Sequence, residues 1–403
     1  MVETSLFDKV SLAPPDAIFG LVKDFQADSR PNKVNLLVGF FKTETGATPF
    51  LLCVKEAEEI LLRKEKNKEY LPIDGNPVCI EKIGALLFGE ALWKKSKAHI
   101  CGAQTVGGTG ALRTLGDFFK REMADEIWIS DPTWANHHNI FPQAGLKINK
   151  YPYYDRNSHQ LLFQEMLDCL SKLQKGSIVL LHSNCHNPTG FDLSAAQWKQ
   201  LSDLFLQKGL FPFFDVAYQG FGDGLEEDAF AVRYFLERGH ELAVAYSCAK
   251  NFSLYGERVG ALYLADGSTK NRDNIQSQIK SIIRANYSNP SIHGAAIVAE
   301  ILSAPELTKK WHQDLKEMRE RISKMREQFV TALSAKKIPY ALEFMRRSKG
   351  LFCYTGLKKQ HVDKLISQFG IYLPSDGRIN VTGLNQSNLD YVVNAIAEVL
   401  AHG

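Results

Sequence analysis

Long apolar runs are absent from this chain of 403 residues: 45% of it is hydrophobic, yet no stretch approaches the length needed to span a bilayer. Cysteine pairing is absent as well. The seven cysteines (Cys53, Cys79, Cys101, Cys169, Cys185, Cys248 and Cys353) are scattered, odd in number and form no CxxC. That argues against a disulfide framework or a zinc site and for reduced thiols in a cytosolic setting. A strong charge of one sign is missing, since the net charge is only +3, so neither nucleic acid nor a membrane is an expected partner. No GxGxxG or Walker glycine fingerprint occurs, which disfavours a nicotinamide-dependent dehydrogenase. The stretch 1–30 lacks the basic bias of a mitochondrial leader: Glu3, Asp8, Asp16, Asp24 and Asp28 stand against three basic side chains. A cytoplasmic location is expected. Internal repeats and low-complexity tracts are also lacking, so function must come from scattered motifs.

What is present is an alternation of apolar strands and amphipathic helices. Strands are expected at 126–130, 177–182, 210–214 and 242–245, with helices at about 163–173, 194–207 and 230–236. Such alternation predicts an α/β protein with a mostly parallel, doubly wound sheet. A chain of 403 residues is too long for one simple core, so a large domain with a smaller companion is expected. Residues 305–336, with Trp311, Leu315, Met318, Ile322, Met325 and Phe329 on one face, predict a long helix joining the two. Beyond it, a strand at 350–355, helices at 358–368 and 386–401, and the segment 378–381 read as a small α+β domain. Residues 14–45, irregular about Pro14, Pro15 and Pro31 with a short strand at 33–38, are placed to pack with it. The expected boundaries are 46–317 for the large domain, with 1–45 and 318–403 forming the small one. Helical periodicity at 51–66 gives way to a turn at 72–77, and glycines at 107–110 open a helix with Thr109 as its N-cap.

Three successive strands lead to polar residues: Asn187 after the first, Asp215 after the second and Lys250 after the third. In one sheet they would meet at the carboxyl edge, where open α/β sheets place their sites. Lys250 there, among small and aromatic residues, is poorly solvated, which favours its neutral, nucleophilic form. Arg258 offers a fork of donors for a phosphate. Ser247 and the amides of Gly108 and Thr109 at a helix start supply more. A Schiff-base lysine beside a phosphate clamp points to pyridoxal 5′-phosphate, whose ring nitrogen needs an acidic partner. Asp215 can serve it, Tyr218 and Asn187 can reach the ring oxygen, and Trp134 can stack on the ring. The set calls for no metal. Each residue also has a plainer reading: a surface lysine paired with Glu257, a helix-capping Asp215, a core Trp134, a turn at Asn187-Pro188. Those readings do not explain why each lies at a strand end.

The motifs that carry these residues resemble those of the class I, aspartate-type aminotransferases, essentially end to end. They are Glu69-Tyr70-Leu71-Pro72-Ile73, Gly108-Thr109-Gly110-Ala111-Leu112-Arg113, Pro132-Thr133-Trp134, His186-Asn187-Pro188-Thr189-Gly190, Asp215 with Ala217-Tyr218-Gln219-Gly220-Phe221, Lys250-Asn251-Phe252, Glu257-Arg258-Val259-Gly260 and Gly377-Arg378-Ile379-Asn380-Val381. The likeness is greatest to the cytosolic branch, and there to a paralogue of the principal enzyme. It implies pyridoxal-phosphate fold type I and reversible amino transfer between L-aspartate and 2-oxoglutarate, giving oxaloacetate and L-glutamate. It also implies a catalytic set of Lys250, Asp215 and Tyr218, with His137 behind Asp215. Gly108, Thr109, Ser247 and Arg258 would bind phosphate, joined by Tyr70 of a neighbouring subunit in a homodimer. Arg378, with Asn187, Trp134 and the Gly39 loop, would take the substrate α-carboxylate. Arg284 would reach across the dimer to the side-chain carboxylate.

The chain departs from the family pattern at several points. Ala249 stands where the family has a serine before the lysine, and Gly107 where it has a serine before Gly-Thr. Each missing hydrogen bond to a charged phosphate is worth about 1.5–3 kcal/mol. Phe41 and Tyr287 replace a tyrosine and a tryptophan near the substrate, and Val216 a serine after Asp215. Two alternatives to transamination follow: an aspartate racemase, which reprotonates the same α-carbon on the opposite face, and a weakly active or non-enzymatic dimeric paralogue.

Overall fold

The computed structural model describes residues 5–13, 17–267, 269–336 and 343–401, so the irregular stretch expected at Pro14 and Pro15 lies outside the described residues. Alternate residues of the central strands divide between two apolar clusters. On the strand Ile178–His182, Ile178 and Leu180 join one cluster while Val179 and Leu181 join the other. On Leu242–Ser247, Ala243 and Ala245 oppose Val244 and Tyr246 in the same way. The period of two of an extended chain therefore puts apolar side chains on both faces, and helices must cover both. Seven strands result, in the order Ile100–Val106, Val259–Ala265, Leu242–Ser247, Phe211–Val216, Ile178–His182, Glu126–Asp131 and Lys147–Pro152. All pairings are parallel except the two made by Val259–Ala265. This is the mostly parallel, doubly wound α/β sheet that the strand–helix alternation predicts.

Three of these strands escape the hydrophobic pattern, each for its own reason. Ile100–Val106 carries Gly102 and Gln104; a Cβ at Gly102 would stand 2.8 Å from Ile80, so close packing requires the bare backbone. Lys147–Pro152 is an edge strand marked by two lysines and a proline, as exposed edges are. Val259–Ala265 contains Gly260, where a Cβ would stand 2.5 Å from the carbonyl carbon of Gly107.

The helix expected to be capped by Thr109 is Gly107–Glu122, and it follows Val106 directly. Thr109 thus lies in its first turn and is not the N-cap. Gly107, at φ +67°, turns the chain straight from strand into helix. By contrast, the helix Ala195–Lys208 starts where its signals place it, with Ser194 and Gln197 forming a capping box.

The long helix runs from Pro305 to Ala335 and buries Trp311, Leu315, Met318, Ile322, Met325 and Phe329, as its periodicity predicts. Near its start Trp311 stacks on Phe252 at 4.5 Å, and its indole donates to the Asn251 carbonyl at 2.7 Å, tying the helix to the segment after Lys250. Further along, Arg321 donates to the carbonyls of Lys42 and Leu384 at 2.8 and 3.1 Å. The helix so connects the large sheet to a smaller α+β part. There Phe352–Tyr354 pairs antiparallel with Arg378–Asn380, and the helices Lys359–Phe369 and Leu389–Ala401 pack together. The early strand is only Val34–Asn35, shorter than expected, and it pairs in parallel with Ile371–Tyr372. That pairing joins the early strand to the C-terminal part of the chain.

Candidate functional site

Ile178–His182, Phe211–Val216 and Leu242–Ser247 are adjacent and parallel, so their carboxyl ends lie side by side: His182 is across from Asp215, and Asp215 across from Ala245. Asn187, Asp215 and Lys250 therefore do meet at one edge. The Lys250 ammonium lies 5.0 Å from the centre of the Tyr218 ring. Burial pushes the Lys250 pKa down to about 8, against the opposing pull of the Asp215 charge and with help from Arg258. About a tenth of this amine is thus neutral at pH 7, far more than of an ordinary exposed lysine. Tyr218 is buried, which raises its pKa and keeps the phenol protonated.

Behind Asp215 runs a chain of hydrogen bonds whose direction can be derived. The Asn187 amide can only donate, and it donates to His182 Nδ1 at 3.3 Å. Burial lowers the His182 pKa to about 3, so the ring is neutral and its proton sits on Nε2. Nε2–H donates to the Thr133 hydroxyl at 3.2 Å, which must then donate its own proton to His137 Nδ1 at 2.8 Å. The His137 proton is left on Nε2 and is given to Asp215 Oδ2 at 3.2 Å. Burial opposes the charge on Asp215, but the hydrogen bond from His137 and the favourable interactions with His182 and Lys250 outweigh it and hold its pKa below the usual carboxylate value. Asp215 is a fixed anion at the floor of the site. Ligand atoms of His137, His182 and Asp215 lie within 4.8 Å of one another, but the chain already engages the ring nitrogens. His182 and Thr133 are functional positions that the sequence reading misses, although both lie within or next to segments it singles out.

At the other end of the site three close approaches form a cradle. A Cβ at Gly108 would stand 2.9 Å from the Ser247 Cβ, one at Gly107 2.5 Å from the Arg258 guanidinium, and Ser247 pairs with Gly260 across the sheet. The Gly107 amide donates to the Arg258 carbonyl at 2.9 Å, and Arg258 itself takes φ 54°. Helix amides, a hydroxyl and a guanidinium are thereby gathered beside Lys250, with Thr109 in the same helical turn. Half-buried Trp134 lies edge-on to His137 at 5.3 Å, flanking the space before Asp215. A phosphate-binding end, an amine and a fixed carboxylate in that order fit pyridoxal phosphate.

Arg378 is buried, its guanidinium 4.1 Å above the Phe352 ring. It donates to Asn187 Oδ1 at 3.2 Å and to the Leu37 carbonyl at 3.1 Å, while its Nε has no partner among the described residues. A buried arginine with a donor to spare suits a carboxylate. Gly39 belongs to the same loop as Leu37, and a Cβ there would stand 2.9 Å from Phe352. Tyr70 and Arg284 are not gathered in: Tyr70 is 91% exposed, and Arg284 is exposed at the end of the helix Arg272–Asn286, contacting Ser288.

A family model for the class I and II aminotransferases matches residues 31–396. The aspartate aminotransferase of Escherichia coli (strain K12) is 45% identical over 398 residues, which cover 98% of this chain and 100% of that protein. An aromatic-amino-acid aminotransferase from Burkholderia pseudomallei, covalently bound to pyridoxal phosphate, has a TM-score of 0.95 at 45% identity, covering 98% of this chain and 100% of that one. Aspartate aminotransferase from Saccharomyces cerevisiae cytoplasm follows at 0.94 and 38% identity, covering 98% of this chain and 99% of that one. By sequence and by fold, the chain belongs to the class I and II aminotransferases.

Proposed function

We propose that the protein is a pyridoxal-phosphate-dependent aspartate aminotransferase, moving the amino group of L-aspartate to 2-oxoglutarate and yielding oxaloacetate and L-glutamate. The observation that carries this reading is the order of groups along one sheet edge. Lys250, with its lowered pKa, stands between the anionic Asp215 and the Gly108–Ser247–Arg258 cradle, and Arg378 lies beyond Asn187. When bound, the cofactor supplies an electron sink that lets the substrate α-hydrogen leave as a proton. Lys250 Nζ would hold the cofactor and, as a free amine beside the bound substrate, would move the proton of the substrate α-carbon. Asp215, fixed by His137, holds a proton on the ring nitrogen. Tyr218 and Asn187 hold the ring oxygen, and Trp134 covers one ring face. Gly108, Thr109, Ser247 and Arg258 anchor the phosphate, with Tyr70 from a second copy of the chain.

Arg378 pairs with the α-carboxylate. Arg284 from the second copy pairs with the side-chain carboxylate, which makes the active form a homodimer. The exposure of both Tyr70 and Arg284 within one chain supports that arrangement. Residues 46–317 form the large domain, and 1–45 with 318–403 the small one. Seven free cysteines, six of them buried, suit a reducing cytoplasm. Among the described residues no helix is long and apolar enough to cross a membrane. The test is oxaloacetate formation from L-aspartate and 2-oxoglutarate by the cofactor-loaded protein. Activity that Lys250→Ala abolishes supports the reading; no oxaloacetate above that variant's level refutes it.

A further inference from the structure

The loop that carries Gly39 is gripped on one side by the smaller part of the protein. Asn380 Nδ2 donates to the carbonyls of Val38 and Phe40 at 2.6 and 2.7 Å, and the Lys42 amide donates to the Thr382 hydroxyl at 3.1 Å. Two hydrogen bonds hold it on the lysine side: the Phe41 amide donates to the Tyr255 hydroxyl at 2.9 Å, and nearer the loop's end the Ser253 hydroxyl donates to the Pro49 carbonyl at 2.8 Å. Among the described residues no other hydrogen bond joins residues 36–44 to the segment 248–258. Tyr255 is placed for this by the turn that follows Lys250, which folds back through Ser253 and Arg258, both at positive φ. Its ring packs on Phe40 at 4.7 Å, and its carbonyl accepts from Arg258 Nη1 at 3.1 Å. One residue therefore touches the phosphate-side arginine with its backbone and the loop with its side chain.

We propose that Tyr255 is a positioning residue, a latch that sets the distance between the lysine side of the site and the carboxylate side. Gly39, two residues before Phe41, is pressed on Phe352, and Phe352 lies under Arg378. The Leu37 carbonyl holds a second proton of the same guanidinium. Releasing the Phe41 amide frees residues 36–44 of their hydrogen bond to the lysine side, so the pocket around the substrate α-carboxylate loosens while Lys250, Asp215 and the cradle keep their places. The kinetic part of this inference rests on the transaminase reading; the structural part does not.

Tyr255→Phe keeps the ring and removes only the hydroxyl. Two measurements on the cofactor-loaded protein decide the matter: amide hydrogen exchange across residues 38–43, and steady-state kinetics with L-aspartate and 2-oxoglutarate. Faster exchange at Phe41 is expected. With it, KM for both substrates should rise about fivefold, the change that one buried hydrogen bond carries, with kcat nearly unchanged. Unchanged exchange overturns the latch. Faster exchange with unchanged KM, or a fall in kcat alone, overturns its role in positioning. Exchange is read whether or not the protein transaminates, so failure of the broader reading would show separately.

Discussion

Lys250 is the residue whose chemistry depends most on its surroundings, and its lowered pKa of about 8 gives a direct test. Only the neutral amine attacks a carbonyl. The rate at which cofactor-free protein takes up pyridoxal phosphate should therefore rise with pH, reach half its maximum near 8 and level off above. Asp215 opposes the shift, so Asp215→Asn should move the midpoint lower; a midpoint near 10 in the unaltered protein would contradict the burial argument. Thr133 offers a second test. Its hydroxyl accepts from one buried ring and donates to another, so Thr133→Val strands two buried polar groups. The loss should be about 1–3 kcal/mol per stranded group in urea unfolding, with reduced kcat as His137 loses its fixed tautomer. Ala249 tests the departure from the family pattern. It is buried beside Ser247, whose hydroxyl already accepts the Ala249 amide at 3.3 Å. Ala249→Ser should tighten cofactor binding about tenfold in equilibrium dialysis, as a hydrogen bond to a phosphate would.

At the scale of elements, the glycine turn after Val106 behaves differently from what its chemistry suggests alone. A serine at position 107 resembles a restored phosphate ligand, yet Gly107 has φ +67° and the Arg258 guanidinium fills the place of its Cβ. Gly107→Ser should therefore cost about 1–2 kcal/mol of stability and displace Arg258, weakening cofactor binding. Stability equal to that of the parent, with tighter binding, would show that the turn adapts. The same turn explains what the sequence could and could not reveal. Apolar strands of the sheet centre are legible because both faces are buried, and the polar residue ending each strand marks the site. The strands Ile100–Val106 and Val259–Ala265 are hidden because close backbone approach puts glycines where an apolar side chain would have signalled a strand. Thr109 misleads as a cap for a related reason: a glycine at positive φ lets the helix begin without one. The hydrogen-bond chain through His182 and Thr133 joins residues far apart in sequence, and only the register of adjacent strands brings them together.

For the whole molecule, the proposed homodimer makes a prediction that one chain alone cannot meet. Arg284 is exposed on its own chain and is assigned to a neighbour's substrate pocket. Arg284→Ala should raise KM for aspartate and 2-oxoglutarate by about tenfold or more, the value of a charged pair, while leaving a monocarboxylic amino acid such as phenylalanine unaffected. Equal losses on both substrate types would argue against that assignment. The central claim is that Lys250, Asp215 and the cradle together perform one half of a transamination. It is tested most directly by the visible spectrum of the protein with pyridoxal phosphate, recorded before and after L-aspartate is added without any oxo acid. The account predicts that the absorbance of the lysine-bound cofactor falls while that of pyridoxamine phosphate grows, and that Lys250→Ala abolishes the change. A lysine-bound band that persists unchanged in the presence of aspartate would contradict it.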